Sequence, residues 1–363
     1  QDSIYYLTGA SYMPVERPFF IIVWTEGDPQ LVVPQLEYAH MRKVAGIGDI
    51  LTYFEYPSVA GQNWYDRLNE MLGGQSVVGI EPEFPAAKVA LLKVKETVIS
   101  PFIAEMRMVK TPDEIAAIRA AAAWTDRGME MVHKGLYPGQ AVIETTMPAR
   151  QLQTGVIAAG EFDYFNCSFI TAGWPAPKSA QPHSLPDLNM RMGAGPIVLI
   201  SYNRVNGYAA EVERTVFLGE PTEEERRLYD TVMEARAIAF GLIEPGVRCS
   251  DIDLVTQRFF KSEGYGELII HRTGHGIGLG NHEQPWLSMG STDVLAENMV
   301  ISIEPALYFP EVGGFRHSDT VLVTRDGYER ITQYPDDLPS LIVRSKRYFL
   351  QLKGRIIRSA IHY

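Results

Sequence analysis

Positive charge is what this 363-residue sequence is short of: 33 lysines and arginines stand against 44 aspartates and glutamates, a formal net charge of -11. A binder of phosphates needs a positive face, which argues against nucleic acid as a partner. Cysteine is nearly absent as well. Cys167 and Cys249 give no disulfide framework and predict a reducing, cytoplasmic setting. No apolar run is long enough to span a bilayer and no signal-peptide pattern is present, which argues against a membrane partner. What is present is 46% hydrophobic residues, enough for one large or two medium globular domains with real cores. Gln1 is not an initiator residue and DSIYYLTG reads as the middle of a domain, so the natural chain is expected to begin earlier.

Residues 1–104 alternate apolar strands such as PFFIIVW and PQLVVP with helical patterns such as WYDRLNEML, which is α/β behaviour. The next domain, 105–340, opens at Thr111, Pro112 and Glu114, a capping box with proline at the first helical position. Thr222 and Glu225 repeat that signature. Each long helix runs into a proline-glycine turn, Pro138-Gly139 and Pro245-Gly246, and a second capped helix is expected after each turn, most clearly at Ser250 with Asp253. This is a weak internal repeat of helix-turn-helix units beside strands. Residues 341–363 carry a basic extension whose last twenty residues hold six basic and no acidic groups, which predicts a docked amphipathic helix or a subunit contact.

The chain is organised around Arg272–Leu287, RTGHGIGLGNHEQPWL, with two histidines seven residues apart. So glycine-rich a run is a poor helix, which predicts His275 on a short strand and His282 on the turn after it, aimed into one cavity. Glu211 and Glu213 in GYAAEVERTVF share a face of an alternating strand; a plain surface pair of Glu213 with Arg214 is the alternative. Glu304 lies in the buried-looking VISIEP, where an unpartnered carboxylate is too costly to be filler. His183 lies in a proline-rich loop that leads into the strand PIVLIS, and Arg316 lies in GGFRHSD. His271, His317, His133 and His40 are read as structural.

In this order and spacing these segments resemble the creatinase, prolidase and aminopeptidase P superfamily over residues 106–340, and the stretch before them resembles that family's N-terminal domain. The resemblance implies an α+β fold: a pita-bread catalytic domain with a pseudo-two-fold repeat, preceded by a smaller α/β domain. Metal-dependent members hold two divalent cations with an Asp in Asp-x-Gly, an Asp in Asp-x-Thr-Arg-Thr, one His and two Glu. Carried over, the His is His275 and the first Glu is Glu304. The first Asp, however, becomes Ser201, the second becomes Glu211, and the last Glu becomes Ser318. Hydroxyls are weak ligands where hard cations want anionic oxygens, so a dinuclear site is not expected. Glu211, His275 and Glu304 remain as a set for a single ion.

If the metals are gone, the carboxylates need another neutraliser, and a cationic substrate is the simplest. The expectation is therefore a metal-independent, creatinase-like hydrolase of a carbon–nitrogen bond in a small zwitterionic amidine or amide, with no cofactor. In it His183 is the acid and base, Glu213 and Glu304 grip the cationic end, His275 and His282 complete the catalytic set, and Glu211 and Arg316 bind substrate. Creatinase's arginine a little beyond the His275 position is not found. The stretch NHEQPWL looks instead like the aminopeptidase P and prolidase version, in which the second histidine contacts the scissile peptide. Two other readings stay open: a dipeptidase or aminopeptidase for Xaa-Pro peptides retaining one metal ion, and a non-catalytic pita-bread binding protein. The resemblance also implies a homodimer with shared sites, because Arg17, at the matching spacing from Gly9, corresponds to an arginine that reaches the neighbouring subunit's site. A solvated loop cation is the alternative for Arg17.

Overall fold

A computed structural model describes residues 2–13, 15–44, 46–185, 189–344 and 347–360. The chain divides into two units, Gln1–Arg107 and Met108–Tyr363. The first runs through α1 (Asp2–Thr8), β1 (Phe20–Ile22), β2 (Gln30–Pro34), α2 (Tyr38–Met41), β3 (Ile50–Tyr53), α3 (Trp64–Leu72), β4 (Val77–Ile80), α4 (Ala86–Val89), β5 (Glu96–Ile99) and α5 (Phe102–Met108). Strands β1, β2 and β3 form one sheet, and β4 and β5 another. Helix α3 starts where Asn63 and Asp66 cap each other and stops at left-handed Gly73. A cavity of about 610 Å³ in this unit is lined by β1, β4 and α3, and none of the candidate site residues borders it.

The second unit is built on the two capping boxes. The Thr111 hydroxyl accepts from the Glu114 N–H, and Glu114 accepts from the Thr111 N–H at 2.8 Å, which starts α6 (Pro112–Gly135). Gly139, at φ +81°, turns the chain toward α7 (Met147–Ala158). Strands β6 (Ser168–Trp174), β7 (Pro196–Val205) and β8 (Tyr208–Leu218) follow. The pattern then recurs. Thr222 and Glu225 cap α8 (Glu223–Phe240), Gly246 turns the chain at φ +94°, and α9 (Cys249–Ser262) follows. This is the repeat of the pita-bread fold. The second helix of each half differs from expectation: α7 starts after Thr146 and α9 after Arg248, two residues before Ser250, both without a side-chain cap, and Asp253 bonds elsewhere.

The remaining elements are β9 (Gly274–Gly276), β10 (Glu283–Leu287), β11 (Val300–Ile303), β12 (Ala306–Phe309), β13 (Gly313–Arg316), β14 (Ser318–Thr324), β15 (Gly327–Arg330), β16 (Ile342–Val343) and α10 (Tyr348–Ala360). A nine-stranded sheet runs in the order β10, β9, β11, β14, β8, β7, β6, with β15 added on β14 and β16 on β8. Met129 and Val132 of α6 and Leu228 and Val232 of α8 pack with Ile197, Leu199, Val212 and Val216 of the sheet. The basic C-terminal stretch forms α10. Arg347 donates to the carbonyls of His133 and Leu136 at the end of α6, while Tyr348, Phe349, Leu352 and Ile356 stay exposed.

Behind the sheet sits a buried charge network. Arg214, fully buried, spends all five of its N–H donors: on Pro335 O, Glu213 O, Ser318 O, Tyr334 O and Asp319 Oδ1. Asp319 also accepts from Arg236 and from Thr332 Oγ1. Burial would raise the Asp319 carboxyl, but Arg214 and Arg236 hold it below its ordinary value. Asp319→Ala would leave two buried guanidiniums short of their counter-charge, and removing one partner of such a pair costs about 3–5 kcal/mol. We expect a loss of that order in denaturant unfolding, and a loss under about 1 kcal/mol would show that the network is not holding the sheet.

Candidate active site

Two glycines place His275. Strand β9 is squeezed between β10 and β11, and a Cβ on Gly274 would stand 2.0 Å from the Ser302 carbonyl oxygen, one on Gly276 2.2 Å from that of Gln284. No other residue fits there. Asp253 of α9 fixes the start of this strand, accepting from Thr273 N at 2.9 Å and Thr273 Oγ1 at 2.8 Å, and Thr273 O in turn accepts from Glu304 N at 2.8 Å. Composition and spacing gave no sign of this role for Asp253.

His275 and His282 meet as read, one on the strand and one on the turn, with ring centroids 4.0 Å apart. His275 Nδ1 donates to Gly276 O at 3.0 Å, which turns Nε2 to the carboxylates, 3.3 Å from Glu304 and 3.6 Å from Glu211. Burial opposes a charge on His275, yet Glu211 and Glu304 outweigh it and raise its pKa to about 9. Glu304 moves the other way, to about 2: burial would raise it, but its hydrogen bond to His275 and that ring's charge win. Burial raises Glu211, whose carboxylate also accepts from the Ser302 hydroxyl. His282, at the exposed side, is lowered to about 4 by desolvation and by His275.

Glu213 is not a surface partner of Arg214. It shares the face of Glu211, and its carboxylate meets Arg316 Nη2 at 2.7 Å. Burial nevertheless pushes Glu213 up to about 8 against the pull of Arg316. Arg316 Nη1 also donates to Pro182 O and to the Tyr308 hydroxyl, each at 3.3 Å, and His271 bonds the same hydroxyl at 2.8 Å. His271 was read as structural; it stands directly behind this arginine. The bond to Pro182 ties in the loop of His183, which is exposed. Arg17 belongs to the N-terminal unit, where it is paired with Glu55 at 2.9 Å and Glu16 at 2.7 Å.

Two ligand positions need correction. Ser201 does not face the site: it pairs with Val212, on the opposite face from Glu211 and Glu213, and donates to Thr125 O on α6 at 2.8 Å. Ile200 and Tyr202 are the residues opposite Glu213 and Glu211. Neither is a metal ligand of the expected kind. Ser318, in register with Glu213, does face inward. Among the described residues a dinuclear carboxylate set is therefore not formed. A one-ion set does fit the side chains: Glu211, His275 and His282 each offer a ligand atom, all within 4.8 Å of one another. The trio expected from the sequence has Glu304 in place of His282, and Glu304 stands 3.3 Å from His275 Nε2.

Binding a cation at His275 Nε2 displaces its proton, so apparent affinity should climb with pH up to about 9 and level off above it, with about one proton released. The sign is fixed by the raised pKa, since the competing proton is fully held at neutral pH. Calorimetry in buffers of different ionisation enthalpy reads both quantities, and an affinity flat between about pH 7 and 9 would remove His275 from the ligand set.

The pattern of metallopeptidase family M24 matches residues 116–325, and that of the creatinase/prolidase N-terminal domain matches residues 1–109. An Xaa-Pro dipeptidase of Pyrococcus furiosus is 31% identical over 343 residues, 93% of this chain and 92% of that one. Another from Lactobacillus delbrueckii subsp. lactis is 30% identical over 359 residues, 94% and 93% of the two chains. The crystal structure of the prolidase from Pyrococcus horikoshii superposes with a TM-score of 0.79 at 28% identity, covering 93% of each chain. These likenesses overturn the creatinase-like, metal-independent expectation, and with it the expectation of no cofactor. The physical ground for that expectation fails too, because Arg316 and His275 already neutralise carboxylates that were expected to wait for a cationic substrate.

Proposed function

Because the chain belongs to metallopeptidase family M24 and carries a creatinase/prolidase N-terminal domain, we propose that it is a peptidase for small Xaa-Pro peptides that works with one divalent cation. The observation that carries this reading is the trio Glu211, His275 and His282, one ligand atom from each within 4.8 Å, in a chain about 30% identical to Xaa-Pro dipeptidases over nine-tenths of its length. A binding module has no need of such a set.

A cation held by the trio supplies a Lewis acid and a water of lowered pKa. The rest belongs to side chains. The Nδ1 bond to Gly276 O keeps His275 Nε2 as the ligand atom once its proton is lost. Glu304, 3.3 Å from that nitrogen, is the carboxylate placed to take the proton that the attacking water gives up. His183 stands at the exposed side and gives a proton to the proline nitrogen as it leaves. Arg316, locked by Glu213, Tyr308 and Pro182 O, presents a fixed guanidinium to negative charge on the substrate. The shared-site homodimer is part of the same proposal: Arg17 of a second chain exchanges Glu55 and Glu16 for the substrate carboxylate.

Removing divalent ions with a chelator should abolish hydrolysis of Ala-Pro, and manganese, cobalt or zinc should restore it at one equivalent per chain by elemental analysis. Undiminished turnover by metal-stripped protein would refute the proposal. His183→Ala should fold normally and lose roughly 10²–10⁴-fold in kcat. A near-wild-type rate would assign the leaving-group proton to another residue.

A further inference from the structure

Of the three proposed ligands, His282 is the least secured by its own contacts. Glu211 accepts from the Ser302 hydroxyl and His275 Nδ1 donates to Gly276 O, whereas no hydrogen bond fixes the His282 ring among the described residues. Its place depends on the turn between β9 and β10, and the ladder alone fixes that turn poorly, because the register shifts between Glu283 and Trp286. The turn is held from outside. Glu283, the residue after His282, accepts from Lys110 Nζ at 3.1 Å with one carboxylate oxygen and from the Gly280 N–H at 3.0 Å with the other. One carboxylate therefore brackets the chain from Gly280 to Glu283, and His282 stands inside the bracket. Lys110 is itself anchored: its ammonium also donates to Met108 O at 3.2 Å, and its backbone N–H to Asn298 O at 2.9 Å. Gly278 makes room for the pair, since a Cβ there would stand 2.3 Å from Glu283 Oε1 and 3.1 Å from Lys110 Cε.

We propose that Lys110 is a positioning residue for the cation site: through Glu283 it fixes the turn that sets the His282 ring beside His275. That the ring is a ligand rests on the peptidase reading above, while the role of Lys110 rests on these contacts. Lys110 is only 2% exposed and lies 173 residues from Glu283 in the sequence. A buried ion pair is a poor way to gain stability, because apolar side chains of similar volume hold a fold as well or better. What such a pair supplies is direction. Here the acid adjoins a ligand in the chain, and contacts one step out from a metal orient its ligands and raise its affinity. Lys110 does this without touching the ion, since an ammonium has no lone pair to offer.

The test separates direction from stability with two variants of the full chain, Lys110→Met and the double variant Lys110→Met/Glu283→Leu. The single variant leaves Glu283 without its counter-charge and should unfold at lower denaturant; the double variant removes both charges and should recover most of that loss, so it carries the test if the single variant does not fold. Manganese affinity, read by calorimetry, should fall about 10- to 100-fold in both variants. In metal-free protein with isotope-labelled histidines, the NOE between the His275 and His282 rings, whose centroids lie 4.0 Å apart, should be present in wild type and lost in both variants. A ring contact that is absent from wild type, or that persists in the double variant, overturns the proposal and leaves Lys110 a purely structural residue. If the ring contact depends on Lys110 as stated but wild type binds no manganese, Lys110 still positions His282 and the one-cation reading fails instead.

Discussion

Three carboxylates in one buried cavity have to be neutralised, and the way this chain does so decides how the rest of the site is built. Arg316 is clamped on Glu213, and His275 lies between Glu211 and Glu304. Two cations against three acids leave a deficit, which burial expresses by raising Glu211 and Glu213. That deficit suits the divalent cation proposed for Glu211, His275 and His282. It does not match a site needing a guanidinium substrate, because an arginine is already there.

Strand β8 makes this arrangement rigid. Its alternation sends Glu211 and Glu213 to the cavity and Arg214 to the other side, where all five donors are spent. Two of those bonds go to the carbonyls of Glu213 and Ser318 themselves. The backbone of Glu213 and Ser318 is therefore tied to the Asp319 network, and the site's geometry shares in the stability of the core.

Much of the fold was legible because its signals are local. A threonine three residues before a glutamate starts α6 and α8, and a glycine in the left-handed region turns the chain after each. The glycines around His275 correctly pointed to a strand and not a helix. Strand faces were less legible. Ser201 sits one residue from the positions that look into the cavity, and in a strand a shift of one reverses the side chain. A linear match of motifs cannot see that. The ligand set was hard to read for a related reason: His282 folds back over His275 through a turn, and nothing in the spacing says which of His282 and Glu304 completes the set.

Asp253 shows why the creatinase-like reading and the helix cap failed together. Both treated residues by the local pattern they complete, and in this unit several of those residues are committed to distant partners. Placed three residues after Ser250, Asp253 has the spacing of a capping residue, but it is 1% exposed and holds Thr273, from which one hydrogen bond leads on to Glu304. Helix α9 starts two residues earlier, after Arg248, and Asp253, inside it, gives the segments carrying His275 and Glu304 a common brace. Arg316 follows the same logic: reaching across to Glu213, it removes the vacancy for a cationic substrate that the sequence seemed to leave.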